Sequence, residues 1–262
     1  MGLADLARMT GGTGLPVVLL HAFPLSSAMW ATQLEELSRA ARIIAPDLPG
    51  FGRSPRQAAP EISGMAQQVA ELLDALAIPE PVTVAGVSMG GYVALEFLRQ
   101  FPRRVRGLAL VSTRAVPDTA EGRQQRFKTA ERVRTDGLAA LAKAMLPKLL
   151  GRTTLASGPD VVDRVTQLIL ANSPAGVADA LVAMADRRDS TDLLAGIRVP
   201  TLVVAGEEDT FIPAGESQAL AAAIPGAQCV VIPQAGHLVP LEQPRLFGQH
   251  LLGFLSGRGP NT

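Results

Sequence analysis

A doubly wound α/β domain built on a mostly parallel sheet is what this 262-residue sequence predicts. Three observations carry that prediction. Apolar, β-branched runs of strand length recur along the chain and alternate with segments of helical period. The runs are apolar on both faces, as strands of a parallel sheet covered by helices must be. One of them, Val82 to Val87, leads directly into Gly86-Val87-Ser88-Met89-Gly90 and then a helical segment. That strand–turn–helix setting is what a nucleophilic serine on a tight turn requires.

Taken in order, Met1 to Gly14 is short for an antiparallel hairpin, and one strand is expected there. Val17-Val18-Leu19-Leu20 reads as the first strong strand, followed by a helix over Ser26 to Ser38. Ile43-Ile44-Ala45 is the next strand and Ser63 to Leu76 the next helix. Val82 to Val87 and the helix Met89 to Gln100 flank Ser88, and Leu108-Ala109-Leu110-Val111 reads as another strand. The rhythm then breaks. Residues 116–191 lack β-branched runs and carry Ala, Leu, Arg and Lys at helical spacing, as in Leu138 to Leu150 and Val161 to Leu170. They read as a helical insertion between two strands, leaving 1–115 and 192–262 as the core. Strands resume at Thr201 to Ala205 and Cys229 to Ile232, with helices at Ala214 to Ala223 and Pro244 to Phe254. Gly257 to Thr262 is expected to fray.

Composition bounds the function. Hydrophobic residues make up 47% and charged residues 18%, which suits a chain with buried strands. With 24 basic and 24 acidic residues the net charge is zero, so nothing recruits nucleic acid or an anionic membrane surface. No run approaches the length of a membrane span. The N-terminus lacks a basic segment followed by a long apolar one, so no signal peptide is expected and the location expected by default is cytoplasmic. The single cysteine, Cys229, is expected to be a buried small hydrophobe.

The chemistry rests on few residues. A serine hydroxyl is a poor nucleophile at neutral pH; it needs a base, and the base needs an orienting group. Of the three histidines, His237 lies in the loop after the last strand, where it can project beside Ser88. His21 ends the first strong strand and His250 falls within a helix. Glu207, Glu208 and Asp209 follow the Thr201 strand, and composition does not choose among them as the orienting acid. Asp47 also ends a strand but precedes Ser88, and reads as a structural loop residue. An oxyanion needs preorganised N–H donors. The amide of Met89 is one, directly after the nucleophile; Phe23 is the other candidate, because Pro24 has no N–H.

These stretches together resemble the α/β-hydrolase fold superfamily over nearly the whole chain. They are most similar to the small bacterial carboxylesterase, enol-lactonase and cofactor-free haloperoxidase-like group. The resemblance rests on Leu20-His21-Ala22-Phe23-Pro24, Ala45 to Ser54, Gly86 to Gly91, Gly206 to Pro213 and Gly236-His237. It implies an α/β-hydrolase fold whose helical insertion caps the site. It also implies Ser88 as nucleophile, His237 as base and then acid, Asp209 as orienting acid, and Phe23 and Met89 as backbone oxyanion donors. One departure is visible: the family usually has His-Gly where this chain has His21-Ala22. Trp30, Arg114, Met145 and Leu146 are the candidate pocket residues. The expected activity is hydrolysis of a small carboxylic ester or lactone, with no cofactor and no metal, by a monomer or small homo-oligomer. The alternatives are C–C bond chemistry on the same triad, as in meta-cleavage product hydrolases or menaquinone-pathway synthases, and a non-catalytic binding module.

Overall fold

The computed structural model describes residues 6–57 and 59–257. The expected fraying of residues 258–262 falls outside them. The chain runs β1 (Arg8–Gly11), β2 (Pro16–Leu20), α1 (Ala31–Leu37), β3 (Arg42–Pro46), α2 (Ile62–Ala75), β4 (Val82–Val87), α3 (Met89–Gln100) and β5 (Val105–Val111). Next come α4 (Ala120–Leu149), α5 (Arg152–Ser157), α6 (Pro159–Leu170), α7 (Pro174–Ala185) and α8 (Thr191–Leu194). It ends with β6 (Thr201–Gly206), α9 (Ala214–Ala222), β7 (Gln228–Ile232), α10 (Val239–Glu242) and α11 (Pro244–Leu255).

The seven strands form one sheet in the order β1-β3-β2-β4-β5-β6-β7. Every neighbouring pair is parallel except β1 with β3. The one early strand expected from the sequence is β1, an antiparallel edge rather than half of a hairpin with β2. Central strands are apolar because both of their faces are covered: all five residues of β2 and all six of β4 are buried. Such burial contributes about 25 cal/mol per Å² of apolar surface removed from water, which holds the β4–α3 turn on a rigid base.

The edge strand β7 behaves differently. Its residues alternate in exposure, and Cys229 is exposed rather than buried. Only β6 flanks it, so the Cys229 side of the pleat faces solvent and the expectation of a buried thiol does not hold.

The interruption between β5 and β6 is entirely helical. In α4 the Thr119 hydroxyl accepts the Gly122 N–H at 3.1 Å, an N-cap, and the helix breaks at Gly137, where φ is +77° and ψ −174°. Only the half after that break follows the apolar period read from Leu138 to Leu150. The first half is heavily charged, and its buried residues are Ala130 and Val133. The helix α7 is apolar nearly all round; Ser173 caps it and Pro174 opens it, the position where proline's missing N–H costs nothing. Its fully buried Val177 and Ala180 pack beneath α4. Among the described residues no single helix is long and apolar enough to cross a membrane.

Candidate active site

Ser88 sits between the last residue of β4 and the first of α3, with φ +54° and ψ −112°. For a residue bearing a Cβ this is strained backbone, and its surroundings hold it there. The Ser88 N–H donates to Val111 O at 2.9 Å, and its carbonyl accepts the Thr113 hydroxyl at 2.8 Å and the Gly91 N–H at 2.9 Å. The turn also requires glycine behind it: a Cβ on Gly90 would collide with the carbonyl oxygen of Leu20 on the adjacent strand.

The loops after β6 and β7 bring an acid and a base together. His237 Nδ1 lies 2.8 Å from Asp209 Oδ2, and both side chains are almost fully buried. Asp209 Oδ1 accepts the N–H groups of Phe211 and Ile212, each at 2.8 Å, so this carboxylate is pinned before it meets the ring. The ring of Phe211 lies edge-on to the imidazole, with centroids 5.1 Å apart. The other two acids that the sequence left in competition turn elsewhere. Glu207 accepts the Gln234 N–H at 3.2 Å. Glu208 accepts the Thr153 N–H at 2.8 Å and hydroxyl at 2.6 Å. Burial raises the Glu208 pKa, but those bonds and Arg152 outweigh it and hold the carboxyl below its usual range.

His21 and Asp47 shape the loop opposite. The N–H of Leu48 donates to His21 Nε2 at 2.9 Å, which places the imidazole proton on Nδ1, where it donates to Ala22 O at 3.0 Å. Complete burial lowers the His21 pKa to about 4, against smaller upward pulls from Ala22 O and Asp47. Asp47 accepts the N–H groups of Ser27 at 2.8 Å and Arg53 at 3.1 Å. Both are thus bound within the loop framework. His250, on α11, is half-buried. Ala22 is not among the residues with positive φ, so replacing the usual glycine introduces no left-handed strain there. Phe23 follows it, and the Phe23–Pro24 peptide is cis.

Ser88, His237 and Phe23 open onto one cavity of about 520 Å³. The helices of the interruption supply its far wall: Val133, Leu141, Met145 and Leu149 from α4, Leu181 and Met184 from α7. Of the pocket residues named from sequence, Met145 and Arg114 line this space. The Arg114 guanidinium is already engaged, donating to Phe211 O at 2.9 Å and pairing with Glu216 at 3.2 Å. Trp30 does not line the cavity; it is fully buried against Phe247, with ring centroids 6.0 Å apart. Leu146 does not line the cavity, because one residue along a helix turns the side chain about 100° away from the face of Met145 and Leu149. Met89 is fully buried beneath the turn, leaving its backbone as the part relevant to the site.

Sequence reasoning missed several wall residues. Tyr92, one helical turn after Ser88, lines the cavity, with the Arg187 guanidinium 4.3 Å above its ring. Its i+4 spacing from Ser88 was the available signal. Asp118 lines it too, paired with both Arg126 and Arg187, the latter at 2.9 Å. Burial opposes its ionisation, yet the two guanidinium groups win and lower its pKa. Among the described residues no group of three or more His, Cys, Asp or Glu side chains could hold a metal ion.

A family model described as the alpha/beta hydrolase fold matches residues 16–244. A thermophilic esterase from Thermogutta terrifontis, solved with malate bound, superimposes with a TM-score of 0.94 at 44% identity, covering 96% of this chain and 93% of the other. The enol-lactonase from Burkholderia xenovorans LB400 gives a TM-score of 0.88 at 27% identity, covering 96% of both chains. In sequence, a 2-hydroxy-6-oxo-2,4-heptadienoate hydrolase from Pseudomonas putida F1 is 32% identical, over 94% of this chain and 90% of the relative.

Proposed function

The chain belongs to the alpha/beta hydrolase fold family, and we propose that it is a serine hydrolase that cleaves small carboxylic esters or lactones through an acyl-enzyme. One observation carries the reading: Ser88 and His237 face one cavity while His237 Nδ1 lies 2.8 Å from Asp209. The esterase and enol-lactonase likenesses support the same choice of substrate class.

In this mechanism His237 Nε2 takes the proton of the Ser88 hydroxyl as Oγ attacks the carbonyl carbon. Asp209 holds the ring with its proton on Nδ1 and stabilises the imidazolium that forms. The backbone N–H groups of Phe23 and Met89 receive the oxyanion, each contributing roughly 3–4 kcal/mol to lowering the barrier. His237 then returns the proton to the leaving alkoxide, and the same residue activates the water that releases the acid. The helices of residues 116–191 act as a cap that limits the size of acyl and alcohol groups. The substrate is a small molecule and the chemistry requires no cofactor.

A p-nitrophenyl acetate assay of the wild type beside Ser88→Ala tests the proposal. Hydrolysis by the wild type and none above background by the variant is expected. Equal rates would remove Ser88 from the chemistry. The second reading, C–C bond cleavage on the same residues, is favoured by Lys148, a basic side chain that lines the cavity. A carboxylated dienone turned over faster than any ester in a graded panel would establish it.

A further inference from the structure

The loops bearing Asp209 and His237 share one anchor in the interruption between β5 and β6. Glu242, in α10, makes most of that anchor, and both of its carboxylate oxygens are used twice. Oε1 accepts the N–H of Gly236 at 2.9 Å and of Leu238 at 3.1 Å, the two amides flanking His237. Oε2 accepts the N–H of Gly151 at 2.7 Å and the hydroxyl of Thr154 at 2.7 Å, where α5 begins. The amides of His237 and Leu238 also converge on the Leu149 carbonyl, at 3.1 and 3.2 Å. The backbones of Gly151 and Gly236 approach so closely that a Cβ on Gly236 would collide with the Gly151 nitrogen. On the acid's side, Glu208 binds Thr153 in the same short stretch.

Three of the four donors on Glu242 are backbone amides, which cannot reverse their direction. A carboxylate offers acceptor sites to all four; a carboxamide offers one oxygen and presents an NH₂ to the other pair. Burying an acid is costly unless its lone pairs are used, and here four donors use them.

We propose that Glu242 is a positioning residue for His237, fixing the base's loop against Leu149–Thr154 so that the imidazole keeps its place between Asp209 and the cavity. The proposal rests on the serine-hydrolase reading. Its test is Glu242→Gln in the full chain, assayed with p-nitrophenyl acetate per site titrated by a fluorophosphonate. The downfield NMR signal of the His237 Nδ1 proton is recorded in parallel. A fall in kcat of at least about tenfold is expected, with KM changed less than about threefold, because a small displacement of a catalytic group costs rate rather than binding. The downfield resonance shifts or broadens. A lowered melting temperature with wild-type kcat, KM and resonance would overturn the proposal and leave Glu242 a structural residue. Should Glu242→Gln not fold, Thr154→Val decides, since it deletes one of the four donors at nearly constant volume. A smaller loss of kcat at constant KM with a displaced resonance supports the proposal, and no change in either refutes it. If Ser88→Ala proves as active as the wild type, the hydrolase reading fails, and the resonance alone still decides whether Glu242 holds His237 against Asp209.

Discussion

Acidification should destabilise this protein through one buried ring. His21 is neutral, fully buried, and hydrogen-bonded at both nitrogens: Nε2 accepts the Leu48 N–H and Nδ1 donates to Ala22 O. Protonating Nε2 would set N–H against N–H inside the core. Its pKa is lowered from 6.5 to about 4 by burial. Below pH 6.5 the unfolded chain therefore binds a proton that the folded chain refuses, and the stability this ring contributes is lost as pH falls from about 6.5 to about 4. At 1.36 kcal/mol per pKa unit the loss amounts to about 3 kcal/mol. That is a large share of the 5–15 kcal/mol typical of a folded domain. The assay is urea unfolding of the wild type and His21→Gln at intervals across that range. Glutamine offers Leu48 an acceptor that does not titrate, and all other groups cancel in the difference between the two curves. The variant is expected to be less stable at pH 7 by about 1–3 kcal/mol, for the lost bond to Ala22, and to close that gap by pH 4. Parallel curves would refute the reasoning, placing the acid sensitivity elsewhere.

Three further outcomes follow from the geometry. Asp209→Asn should keep the fold but lower kcat by orders of magnitude, up to ~10⁴-fold, while Glu208→Gln stays within about tenfold, as ester kinetics will read. Gly90→Ala should lower the melting temperature and the rate together, since the new methyl meets the Leu20 carbonyl; overpacking of this kind costs typically about 1–3 kcal/mol. Arg187→Met leaves the Asp118 carboxylate with Arg126 alone and removes the cation above Tyr92. Denaturant unfolding should register a loss of about 2 kcal/mol, the scale for one hydrogen bond to a charged group, because Arg126 still neutralises Asp118.

What could be read in the sequence and what could not divide along physical lines. Strands β2, β4, β5 and β6 stood out because burial on both faces forces unbroken apolar runs. The edge strand β7 was found, but an edge alternates, so Cys229 was misplaced. Helix α7 fell inside the expected helical insertion without bounds of its own, because Ala and Gly give little periodic contrast. The Ser88 turn was legible because its glycines, strand and helix are local. Asp209 stood apart only through the family resemblance, since three adjacent carboxylates differ only in what they reach. Only folding brings Asp209 to His237, and Glu242 to Gly151, 91 residues away. Trp30, a pocket candidate from sequence, packs in the core against Phe247 instead.

The tie between Glu242, Glu208 and the Leu149–Thr154 stretch has a consequence for engineering. Helical excursions of this sort invite exchange as cassettes, to graft one enzyme's selectivity onto another's chemistry. Here the splice points cannot be the strand ends. A chimera cut after β5 and before β6 would import a foreign partner for the histidine's loop, and would lose turnover for reasons unrelated to substrate fit. Grafts that retain Leu149–Thr154 and replace α6 with its flanking turns leave that partner in place. Selectivity then becomes adjustable without disturbing the His237 loop.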